Sequence, residues 1–130
     1  AGPYLPIRFT NPDTRNTFTW ECLIDTGADS TLLPSAIASL TGHNLKGQGV
    51  QSSVTMGVEG GPLKTWKHTF ILELLSPRDR TRTVWRSRRR LIERADHDMM
   101  PPLLGQSDFL HSFKLTIDYP RERTTVYWST

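Results

Sequence analysis

Apolar and polar residues alternate with period two over residues 17–25, TFTWECLID. Phe18, Trp20, Cys22 and Ile24 share one face; Thr19, Glu21, Leu23 and Asp25 share the other. Period two is the spacing of a half-buried strand, so the pattern predicts a strand with Asp25 at its end. Upstream, PYLPIRF (3–9) reads as extended because its prolines exclude helix, and TNPDTRN (10–16) carries an Asn-Pro-Asp turn signal. Downstream, PSAIASLTG (34–42) predicts a short helix with Pro34 early and Gly42 at its stop. VQSSVTM (50–56) and LKTWKHTFILELL (63–75) read as strands either side of GVEGGP. The second turns continuously apolar at Phe70-Ile71-Leu72, as a strand buried on both faces does. TRTVWRS (81–87) is a further candidate strand, and PPLLGQSDFLHSF (101–113) begins extended and turns helical after Gly105. KLTIDY (114–119) and TTVYWS (124–129) flank PRER as a closing hairpin. Short strands with one or two short helices place the chain in the all-β class.

Composition narrows this picture. The 130 residues suit one domain spanning 1–130, with no internal repeat and no linker. Apolar residues make up 36%, lean for a domain of this size and a reason to expect an oligomer. Cys22 is the only cysteine, so no disulfide forms within the chain, which fits a reducing intracellular compartment. No apolar run approaches the ~20 residues needed to span a bilayer, and a start at Ala1 rather than Met points to a fragment or processed product. The net charge of +3 is concentrated: residues 78–94, RDRTRTVWRSRRRLIER, hold eight of the 16 basic residues. This predicts an exposed arginine-rich excursion over about 78–98. Its Trp85 and interleaved arginines permit nucleic-acid binding, but such a run is more often a solvated face, and nucleic acid is not the expected partner. His43, His68, His97 and His111 show no paired metal-ligand spacing, so no metal and no other cofactor is expected.

Candidate chemistry gathers at LIDTGADSTLLP (23–34). Asp25 ends an apolar run and is crowded by the small residues Thr26, Gly27 and Ala28, with a second acid at Asp29. Gly27 lets another backbone come close, and the Thr26 hydroxyl is suited to locking the turn. A lone buried carboxylate is costly. It becomes useful beside a second one, because two carboxylates so close cannot both ionise; one keeps a proton while the other acts as base. The chain has one Asp-Thr-Gly, so if the pair is needed the second Asp25 has to come from a second chain.

This stretch resembles the catalytic signature of retropepsin-like aspartic proteases, the single-domain retroviral type and its prokaryotic relatives. Two further stretches carry the resemblance in the expected order: MGVEGGPLKTW (56–66) is similar to their flap, and PPLLGQSDFL (101–110) to their apolar-apolar-Gly motif. The resemblance spans roughly residues 5–128. It implies a closed β-barrel with a flap hairpin over about 50–70, acting as a homodimer with the site on the two-fold axis. It implies an aspartic endopeptidase, with Asp25 as acid and base, Thr26, Gly27, Ala28 and Asp29 forming the active-site loop, and Gly57, Val58, Glu59, Gly60 and Gly61 forming the flap tip. Leu103, Leu104 and Gly105 are implied as the motif packed beneath the loop. The implied substrate is an extended peptide or protein. Two positions depart from the pattern. Glu59 puts a charge on the flap tip. Gln106 stands where retroviral members carry an arginine that pairs with the acid at Asp29.

Two other readings stay open on sequence alone. One is a catalytically weak or inactive dimerisation module on the same fold. The other is nucleic-acid binding through residues 78–94.

Overall fold

The computed structural model describes residues 4–45, 50–56, 62–96, 98, 101–118 and 120–128. Among the described residues ten strands and one short α-helix make it an all-β protein: β1 (Tyr4–Thr10), β2 (Thr17–Ile24), β3 (Leu32–Leu33), α1 (Ser35–Leu40), β4 (Gln51–Met56), β5 (Pro62–Leu75), β6 (Thr83–Arg86), β7 (Arg90–Ala95), β8 (Leu103–Leu104), β9 (Phe113–Asp118) and β10 (Arg123–Trp128). Among the described residues a single 3-10 turn, Leu110–Ser112, is all the helix that follows Gly105.

Eight strands form one sheet in the order β1-β2-β8-β3-β7-β5-β4, with β6 also on β5. A further pairing of β1 with β5, from Ile7↔Leu74 to Thr10↔Ile71, closes the sheet into a ring. Closure removes most of the open edge that a sheet of short strands otherwise exposes. The long strand β5 makes this possible: its first part pairs with β4 and β7, its last part with β1 and β6. Inside the ring Ile7, Phe9, Leu33, Ile37, Phe70, Leu72, Ile92 and Leu104 are fully buried. The predicted face of β2 is the inward one, with Cys22 and Ile24 buried and Thr17 and Thr19 exposed.

Helix α1 is a turn and a half. Pro34 stands at its N-cap with extended backbone, and Gly42 follows its C-cap at φ +85°, where glycine has no Cβ penalty. Among the described residues β9 and β10 pair only with each other, as a separate hairpin with Arg123↔Asp118 and Trp128↔Phe113 as its ends. Phe113 anchors it against Trp85 and Phe109.

One expectation is corrected. The stretch 78–98 is not an exposed excursion throughout, because β6 and β7 lie within the sheet and β7 runs between β3 and β5. Arg94 is fully buried and Leu91 is half exposed, the reverse of what residue type suggests. Arg94 is tolerated inside because its guanidinium is satisfied. It donates to His68 Nε2 at 3.0 Å, to the Leu45 carbonyl and to the Ala95 carbonyl, and it lies 4.6 Å from the centre of the Trp66 ring. Arg90 is half-buried over Trp85 and donates to the Asp108 carbonyl. Arg78, Arg80, Arg82, Arg86, Arg88 and Arg89 are exposed, as expected.

Candidate active site

Asp25 is the first residue after β2, and its loop returns as β3. Between those two strands runs β8. It pairs in parallel with β2 (Leu23↔Leu103, Ile24↔Leu104) and antiparallel with β3 (Leu32↔Leu103). The backbone N–H of Leu23 donates to the Pro102 carbonyl at 2.8 Å and that of Asp25 to Leu104 at 3.0 Å. The apolar motif and the Asp-Thr-Gly loop, about eighty residues apart in sequence, are therefore one hydrogen-bonded unit.

Three contacts hold the loop from below. The N–H groups of Gln106 and Ser107 donate to the carbonyls of Ala28 (3.0 Å) and Asp29 (2.8 Å). The side-chain amide of Gln106 donates to the Thr26 carbonyl. The third contact was not legible in the sequence. The Asp108 carboxylate accepts from the Thr31 N–H at 3.0 Å and from its hydroxyl at 2.6 Å, while Thr31 Oγ1 accepts from the Gly105 N–H at 3.0 Å. Thr31 is wholly buried, so these bonds satisfy groups that water cannot reach. Gly105 is required by proximity, since a Cβ there would lie 2.1 Å from the carbonyl carbon of Ser30.

Within the loop, Asp25 Oδ1 accepts from the Gly27 N–H at 3.1 Å, and the Asp25 carbonyl accepts from the Ala28 N–H at 3.1 Å. Asp25 is half-buried, while Thr26, Gly27 and Asp29 are exposed. Among the described residues of this chain the Thr26 hydroxyl makes no hydrogen bond, and the bonds of Thr31 and Asp108 brace the loop. The Gln106 side chain supports a backbone carbonyl, that of Thr26, rather than the Asp29 carboxylate. The flap-tip residues Gly57, Val58, Glu59, Gly60 and Gly61 lie outside the described residues. The strands that lead to them pair up to Met56↔Pro62.

A pocket of about 350 Å³ opens beside the loop, lined by residues 27–30 together with Leu32, Val54 and Glu93. Cys22 is buried on the core face. Desolvation, and then the charge of Glu21, push its thiol well above its ordinary pKa, which makes it a poor nucleophile. Among the described residues no three of His, Cys, Asp and Glu gather as metal ligands, and no helix is long and apolar enough to cross a membrane.

No protein-family model matches the chain, and no curated protein matches it either.

Proposed function

We propose that this chain is an aspartic endopeptidase of retropepsin type, working as a homodimer in which each subunit supplies one Asp25. The observation that carries the reading is the clamped loop. A carboxylate stands at a strand exit, in a loop held by residues 104–108, and the Thr26-Gly27 tip beside it is exposed. Among the described residues Asp25 Oδ2 has no hydrogen-bond partner, so one oxygen of each carboxylate is free for a shared proton and a water.

In the proposed reaction one Asp25 is ionised and its partner-chain equivalent is protonated. The ionised carboxylate takes a proton from the water as its oxygen bonds to the peptide carbonyl carbon. The protonated one gives its proton to the carbonyl oxygen. Collapse of the tetrahedral species breaks the C–N bond as the amine nitrogen takes the proton that the first carboxylate accepted from water, while the second carboxylate takes a hydroxyl proton back, leaving a free carboxyl, a free amine and the starting pair. The rigidity of the loop matters because orientation of the reacting groups supplies much of such an acceleration. The substrate lies extended beside the loop, where strand-like pairing gives affinity and side-chain pockets give choice.

The test is incubation with a mixed peptide library, wild type against Asp25→Asn. The substitution keeps the shape and the Gly27 contact but removes the base. Cleavage should fall by about a thousandfold or more with the fold retained. Equal cleavage by the two proteins would overturn the reading.

A further inference from the structure

Glu93 is an unusual residue for its position. It sits inside β7, between the buried residues Ile92 and Arg94, in a strand paired on both sides. Carboxylates seldom stand mid-strand in a closed sheet without a partner cation. Its register neighbour on β3 is Leu32, and Leu32↔Glu93 brings both to the face that lines the pocket beside the active-site loop. Its hydrogen bond is from the Thr65 hydroxyl, 2.9 Å to Oε2. Lys67 is its register neighbour on β5, yet the two form no ion pair among the described residues, and Lys67 lines a different cavity. Arg94, next in sequence, points into the core towards His68.

The pocket thus combines an apolar wall (Leu32, and Val54 of β4, itself largely exposed), the backbone of the loop, and two carboxylates, Glu93 and the exposed Asp29. That pairing of surfaces matches a long basic side chain, whose methylene stem lies on apolar surface while its charged head meets a carboxylate. We propose that this pocket receives one side chain of the substrate, that Glu93 determines specificity there, and that the chain selects substrates with arginine or lysine at that position. The inference rests on the endopeptidase reading and narrows it to a substrate class.

The probe is a pair of peptides differing only in arginine against citrulline, which keeps the shape and removes the charge, at each position flanking the scissile bond. Wild type should prefer arginine at one position by about tenfold in kcat/KM. In Glu93→Gln, which can still accept the Thr65 hydroxyl, that ratio should fall to near one, chiefly through KM. Thermal unfolding of the variant checks that the strand is intact. The same ratio read as equilibrium binding of non-cleavable peptides to Asp25→Asn needs no turnover. An arginine preference unchanged in Glu93→Gln, or no basic preference at any position in either measurement, overturns the inference. Cleavage that survives Asp25→Asn overturns the endopeptidase reading instead, so the two failures are told apart.

Discussion

A methyl group at position 105 would have to share space with Ser30, 2.1 Å from its carbonyl carbon and 2.3 Å from its oxygen. Both atoms are backbone, and they belong to the loop whose carbonyls are tied to residues 106 and 107. Neither side can yield without moving Asp25 or β8. Gly105→Ala should therefore cost about 3 kcal/mol or more of stability, at the severe end for an added methyl. Denaturant unfolding measures it, and a cost below about 1 kcal/mol would show that the loop and β8 separate readily. In the sequence Asp25 stood out as an acid at a strand end crowded by small residues, and Gly105 only through the resemblance carried by PPLLGQSDFL. It did not announce Asp108, whose partner Thr31 is 77 positions away and whose own neighbours read as an ordinary turn.

At the scale of elements, long strands with one buried face were legible and the two-residue strands were not. β2 and β5 carry enough alternation to fix their faces. β3 and β8 are two leucines each, too short for any period, and they exist because the loop's return brings them together. β7 failed for another reason. In RLIERA the inward set is Arg90, Ile92 and Arg94, so counting charges puts the wrong face outside. The cost of burying Arg94 is offset by a cluster that titrates. His68 is buried and accepts from Arg94 Nε, with His43 4.9 Å away ring to ring. Burial first, then the positive neighbours His43 and Arg94, lower its pKa from 6.5 to about 4. The unfolded chain therefore takes up this proton first as pH falls. The full contribution of neutral His68 is present above pH 6.5, is lost as pH falls from 6.5 towards 4, and changes no further below that. The loss should reach about 3 kcal/mol at most. His43, lowered mainly by burial, adds to it with the same sign. His68→Gln keeps an acceptor for Arg94 and removes the titration. Its stability should fall less between pH 7 and pH 4 than that of wild type, as denaturant midpoints across that range will report. Equal slopes would mean that His68 is not held neutral by this cluster.

On the scale of the whole molecule, the proposed function makes the ring of strands half of a site. One Asp25 cannot divide an acid and a base between two carboxylates, and the leading proposal needs a second chain. The β9–β10 hairpin, paired to no other strand among the described residues and carrying an exposed Tyr127, is a proposed part of the contact between chains. The shared site is tested most directly by mixing. Wild type, at a concentration where it is fully dimeric, is allowed to exchange subunits with a ninefold excess of folded Asp25→Asn chains. If both Asp25 residues are needed, only wild-type pairs turn over, and activity per wild-type chain should fall to about one tenth. Activity per wild-type chain that stays unchanged, with mixed dimers shown to have formed, would contradict a site built from two Asp25 carboxylates.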